Sequence, residues 1–201
     1  MKPYIMATAR LLILLTFSGL AYSQDTKVIS KVNAATNLKS DSTDLKALVI
    51  NLLRWHENDK KSDFEPLLKN PKDTIYSGID WQLYKKRVIE LKNTNLFTKD
   101  FLDNYQKIAL HLDKELKQNK VKYAVGDLPP YDHSNEWCNC QDYPSNIWKR
   151  LKIVSLKIND NSANFKWTWG DNFFYSTKAR KENNVWRISA LEKFNLENFS
   201  W

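Results

Sequence analysis

Ala163-Asn164-Phe165-Lys166-Trp167-Thr168-Trp169 alternates apolar and polar side chains without a slip. Successive side chains of a strand point to opposite faces. This period of two therefore buries Phe165, Trp167 and Trp169 on one face and leaves Asn164, Lys166 and Thr168 on the other. Asn159-Asp160-Asn161-Ser162 before the stretch and Gly170-Asp171-Asn172 after it are turn sequences. Upstream, Leu151 and Ile153 share one parity while Val154, Leu156 and Ile158 share the other, which predicts a strand with a β-bulge near Ile153. Downstream, Phe173 to Lys181 reads as a strand and Glu182-Asn183-Asn184 as a hairpin. Val185 to Phe194 reads as a last strand, with Trp186, Ile188 and Ala190 on one face. Short polar turns between consecutive strands make this an antiparallel meander.

Before the meander the period changes to that of helices. Leu45, Leu48, Val49, Leu52, Leu53 and His56 form one stripe, predicting a helix from Ser42 capped by Asp41 or Ser42. His56 lies on that stripe near the helix end. Lys60 to Thr74 reads as a short amphipathic turn carrying Phe64, Leu67 and Leu68, ended by Asn70-Pro71. A second helix is expected from about Asp80 to Lys92, burying Trp81, Tyr84, Val88 and Leu91. Thr98 caps a third, where Phe101, Leu102, Tyr105, Ile108, Ala109, Leu112 and Leu116 share a face and His111 projects to solvent. Val121, Tyr123 and Val125 suggest a short strand, and a long irregular stretch then leads to Trp148, after which strands dominate. Helices before an antiparallel meander define an α+β fold.

The chain has 201 residues, a formal charge of +8, eight Trp, nine Tyr and nine Phe. The apolar content is that of a folded globule, so full-length disorder is excluded on composition. P-loop, GxGxxG, GxSxG and HExxH strings do not occur. Residues 1–23 read as a secretory signal. Lys2 and Arg10 precede the apolar run Leu11 to Leu20, and Ala21-Tyr22-Ser23 presents small residues before a cut at Gln24. The run is shorter than a membrane span needs. Export to the periplasm or medium is therefore expected, without membrane insertion after cleavage. Residues 24–41 are expected to be a flexible leader and 42–201 a single domain. The basic clusters Lys60-Lys61 and Lys85-Lys86-Arg87 lack the interleaved aromatics of a nucleic-acid platform, so nucleic acid is not an expected partner. An anionic cell surface is the better match to the charge.

The capped helices, the Gln141-Asp142-Tyr143-Pro144 step before Trp148 and the closing strand Val185-Trp186-Arg187-Ile188 together resemble the nuclear-transport-factor-two-like superfamily. That superfamily has a cystatin-like cone, and the likeness is to its branch of secreted bacterial proteins of unknown function. It covers roughly Ser42 to Phe194. What it implies is a curved sheet wrapped against helices, with a pocket at the wide end of the cone. The extra helix and the cysteine-bearing loop depart from that pattern. Some members use a pocket Asp or His for isomerase- or dehydratase-type proton transfer, and no residue here matches such a catalytic motif.

Chemistry-bearing residues concentrate in and around the long loop. Cys138 and Cys140, the two cysteines of an exported chain, are candidates for a disulfide; a local staple is favoured over a redox pair, since no CxxC opens a helix. Asp132, His133 and the two cysteines are poorly spaced for tetrahedral zinc, so no metal is assigned. His56 and His133, with Asp127, Asp132, Glu136 or Asp142, are the candidates for an acid–base pair. Asp142 equally suits a loop-fixing role. Tyr123, Phe165, Trp167, Trp169 and Trp186 are candidate pocket lining, although an aromatic stripe is more commonly core. The expected function is an exported, non-catalytic binding protein. It would hold a small apolar ligand or peptide in the pocket, or an exported protein partner on the sheet face, with no cofactor. A proton-transfer enzyme and an immunity- or inhibitor-type protein are the alternatives.

Overall fold

The computed structural model describes residues 22–59, 61–127, 135–140, 143, 146–170 and 172–199. The chain divides into two units, residues 1–40 and 41–201, and the second holds the sheet and the core. Most of the expected export signal, residues 1–21, lies outside the described residues, as do Asp132, His133, Gln141, Asp142 and Trp201.

Helix α1 (Tyr22–Asn58) places Leu45, Val49, Leu52 and Leu53 fully inside the core, as the stripe requires. Its backbone reaches back through residues 24–41, which the sequence suggested as a flexible leader. That stretch is rich in weak helix formers such as Thr, Val, Ser and Asn, and its helix extends the packed turns from Leu45 onward without a new nucleus. After α1, the expected amphipathic turn is replaced by a small sheet. Strand β1 (Pro66–Leu67) pairs antiparallel with β2 (Gly78–Ile79), Phe64 is buried and Leu67 is exposed. The strand expected over Val121 to Val125 reduces to a single bridge between Ala124 and Ile75. Tyr76 N–H donates to Tyr123 O and Val125 N–H to Thr74 O, each at 2.9 Å.

Helix α2 (Trp81–Asn93) begins where Asp80 accepts the N–H groups of Gln82 and Leu83. Helix α3 (Lys99–Lys117) begins at Thr98, whose hydroxyl accepts the Phe101 N–H. His111 departs from its expected solvated position. It is half-buried, and its Nε2 has no hydrogen-bond partner among the described residues. Trp148, expected to lead into the first long strand, lies in the short helix α4 (Ile147–Arg150).

The main sheet is the meander β3 (Lys152–Asn159), β4 (Ser162–Gly170), β5 (Phe173–Glu182) and β6 (Val185–Leu191), antiparallel throughout. The β3–β4 register slips between Ile153 and Ser155, where the parity change demanded a bulge. The β5–β6 hairpin turns on Asn183 and Asn184, both at positive φ, as a two-residue loop of matching twist requires. Two further slips were not expected: the β4–β5 register shifts between Trp167 and Gly170, where Thr168 is buried instead of facing solvent, and the β5–β6 register shifts at Lys178. Ala179 pairs with Ile188 but Lys178 with Ala190, so Ser189 is the extra residue and Ala190 leaves the face of Trp186 and Ile188. Along the far edge of β6, Ile188 N–H donates to Leu96 O at 2.7 Å and Thr98 N–H to Ile188 O at 2.9 Å. The segment before α3 thus covers that edge.

The core is strongly aromatic. Trp167 donates to the Thr177 hydroxyl at 3.0 Å, and Trp169 stacks on Phe173 with ring centroids 3.9 Å apart. Phe199 is buried in the 3₁₀ turn Leu196–Phe199.

Candidate functional site

The buried face of α2 carries a charge at its centre. Arg87 follows Tyr84 by three positions, precedes Leu91 by four, and is only 3% exposed. Its guanidinium pairs with Asp59 in the turn after α1, and Asp63 Oδ1 lies 2.8 Å from both Nε and Nη2. Nε makes the aligned bond, while Nη2 has no hydrogen bond of its own among the described residues. The cation also lies 5.0 Å from the ring centre of Trp55 and 5.9 Å from that of Trp137. Burial opposes the charge, but the Asp63 and Asp59 carboxylates overcome it and hold the Arg87 pKa above its ordinary value.

Asp63 is the hub of this cluster. The Tyr105 hydroxyl lies 2.9 Å from its carbonyl oxygen and 3.0 Å from Oδ1, and the Trp137 indole donates to Oδ2 at 2.7 Å. Burial, with Asp63 alongside, pushes the Tyr105 pKa well above its usual value. Trp137 arrives from the loop Asn135–Cys140, where Cys138 and Cys140 are joined as a disulfide and Asn135 N–H donates to Cys140 O. The Tyr175 hydroxyl of β5 donates to Glu136 O, so the sheet also holds this loop.

His56 stacks on Trp137 at a ring separation of 5.9 Å. Its protonation is set by its neighbours. Asn135 Oδ1 accepts the Trp137 N–H at 3.0 Å, so the Asn135 amide presents its NH₂ to His56 Nε2, 3.2 Å away. Nε2 must then accept, which leaves the proton on Nδ1 to be donated to the Tyr143 hydroxyl at 2.6 Å. Burial lowers the His56 pKa, against the attraction of Asp63 and Asp59 and with the repulsion of Arg87. A protonated ring would also set Nε2–H against the Asn135 amide hydrogens.

Among the predicted site residues, the structure therefore brings His56 together with the cysteine loop. It leaves Asp127 elsewhere, accepting the Ala124 N–H at 3.1 Å; Glu136 belongs to the loop and meets the Tyr175 hydroxyl through its backbone oxygen. Sequence reasoning missed Asp63, Arg87 and Trp137. One signal was present: Arg87 falls on the apolar stripe of α2, where a charge needs a buried partner.

The aromatic candidates are packed rather than open. Phe165, Trp167, Trp169, Trp186 and Tyr123 are all buried. Trp186 donates to Asp41 at 2.8 Å, beside the Lys181 ammonium on the same oxygen. Tyr123 lies against Tyr76, with ring centroids 4.7 Å apart. Three open clefts among the described residues have volumes of about 940, 660 and 800 Å³; Phe165 lines the 660 Å³ cleft, and Tyr123, Trp167, Trp169 and Trp186 line none of these three.

The 660 Å³ cleft is a groove on the outer face of the main sheet. Register sets its residues in rows across the strands. One row runs Lys157, Asn164, Lys178, Ala190, and the next runs Ser155, Lys166, Ser176. Glu192 closes the second row by accepting the Ser176 N–H at 2.7 Å. Lys157, Lys166 and Lys178 are exposed and have no ion-pair partner among the described residues.

An α+β protein with a polar-pinned core and an open, lysine-bearing sheet is what the fold and these two places define. No family model, curated protein or solved structure matches the chain.

Proposed function

We propose that the protein is exported and acts by binding, docking a partner on the outer face of its four-stranded sheet. The observation that carries this is the lysine-lined groove, where Lys157, Lys166 and Lys178 have no acidic ion-pair partner among the described residues, on a surface rich in small polar residues. Around His56 the chemistry supports holding rather than turnover. Both ring nitrogens are engaged, and the Asp63 oxygens are taken up by Arg87, Tyr105 and Trp137. The Cys138–Cys140 disulfide fits an oxidising compartment, in keeping with the signal-like residues 1–23. Helices preceding an antiparallel meander support placement in the nuclear-transport-factor-two-like superfamily.

Lysine-reactivity footprinting tests the reading. The purified protein is modified alone and after incubation with the cell-envelope fraction of its host. The expected result is selective protection of Lys157, Lys166 and Lys178 relative to Lys85 and Lys107. Equal modification of all five in both conditions overturns it.

A further inference from the structure

The same face carries the chemistry of its partner, provided that it is the docking surface. On that reading, we infer that it binds an acidic polysaccharide, a chain of sugar rings bearing carboxylate or sulfate groups. Four observations point there. First, lysines outnumber acids: Lys157, Lys166 and Lys178 line the groove against the one carboxylate of Glu192. Farther along the sheet, Arg180 pairs with Asp100 at 2.7 Å and Arg187 lies 3.5 Å from Glu182, whereas the three lysines around the groove have no ion-pair partner among the described residues. Second, the lysines are spaced for a repeating anion. Lys157 and Lys178 flank Asn164 in one row, two strand spacings or about 10 Å apart, roughly the length of a disaccharide. Lys166 stands on the middle strand one row over.

Third, Ser155, Asn164 and Ser176 separate the lysines and offer hydroxyl and amide groups to a hydroxylated ligand. Fourth, the side chains that the two rows expose are polar. Protein interfaces concentrate aromatics and exclude lysine at the middle; here the rows expose lysine, serine and asparagine, and Phe165, Leu191 and Phe194, which also line the groove, are buried. A nucleic acid is the poorer match because no row of aromatics among the described residues of this face offers its bases a stacking platform. Phe174, an exposed ring at 53%, lies on β5 beyond the groove.

The test measures binding of the purified protein to polygalacturonate, heparin, poly-glutamate and single-stranded oligo-dT at low and moderate salt. Lys157→Gln/Lys166→Gln/Lys178→Gln is compared with the charge-matched control Lys85→Gln/Lys86→Gln/Lys107→Gln, both checked by circular dichroism and urea midpoint. The expected result is binding of at least one polysaccharide, weakened at least tenfold by the groove variant and less than threefold by the control, with poly-glutamate and oligo-dT bound at least tenfold more weakly. Binding of poly-glutamate or oligo-dT as tight as that of the sugars, or no binding of either sugar, overturns the polysaccharide inference and leaves the docking surface standing. Polysaccharide binding that is equal in the groove and control variants overturns the docking surface itself.

Discussion

The indole N–H of Trp137 reaches Asp63 Oδ2 at 2.7 Å, joining residues 74 positions apart in the chain. That bond ties the disulfide loop to the turn after α1, with the Trp137 ring packed 4.5 Å from Phe194 and 5.0 Å from Trp55. Trp137→Phe keeps much of the ring and removes the donor to a carboxylate, at a cost of about 2–3 kcal/mol. A lowered urea midpoint with unchanged slope is expected. An unchanged midpoint shows that the bond contributes nothing.

Arg87 is the only cation within ion-pair distance of Asp59 and Asp63 among the described residues. Arg87→Met leaves both carboxylates uncompensated, at a cost of about 3–5 kcal/mol. Adding Asp63→Asn removes one stranded charge, so the double variant is expected to recover part of that loss. Denaturant melts of the two variants check this, and a double variant less stable than Arg87→Met contradicts it.

His56 makes stability depend on pH. Its folded pKa lies below the ordinary 6.5, so the unfolded chain takes up a proton first as pH falls. The contribution is complete above about pH 6.5 and is lost as pH drops from there toward the lower folded value. Urea midpoints of the wild type between pH 8 and pH 5 are expected to fall more steeply than those of His56→Gln. Parallel curves rule this out.

Gly78 sits where a side chain would collide. A Cβ there meets Asp113 Oδ1 at 2.8 Å, the same oxygen that accepts the Ile79 N–H at 3.0 Å. Gly78→Ala is expected to cost about 1–3 kcal/mol by displacing that carboxylate. In an Asp113→Ala background the same substitution is expected to cost much less, and a double-mutant cycle measures the difference.

The Cys138–Cys140 disulfide closes a very short ring, for which the chain-entropy contribution is only about 1.5 kcal/mol. Thiol titration in non-reducing denaturant is expected to find no reactive cysteine, and two after reduction. Cys138→Ser/Cys140→Ser is expected to lower the urea midpoint slightly while leaving the fold intact by circular dichroism. A fully unfolded double variant contradicts this.

Local pattern was sufficient wherever a residue's fate depends on its near neighbours. The alternation at Ala163 to Trp167, the parity change near Ile153, the Thr98 cap and the α3 stripe all translated directly into structure, because strand and helix periods are properties of consecutive residues. The extra residue at Ser189 escaped notice, since Trp186, Ile188 and Ala190 alternate perfectly and only the partner strand imposes the slip. His111 was misplaced because helix geometry alone does not show what packs against its flank.

The amino-acid order by itself therefore determined the α+β class, the meander and the outward parity of Lys166. Only the tertiary structure decided that Arg87, Asp63, Trp137 and His56 form one buried cluster, and that Lys157, Lys166 and Lys178 surround one groove. The reason is physical: a buried charge is tolerated only beside its counter-charge, and cross-strand neighbours are set by register, so both depend on residues far apart in the chain.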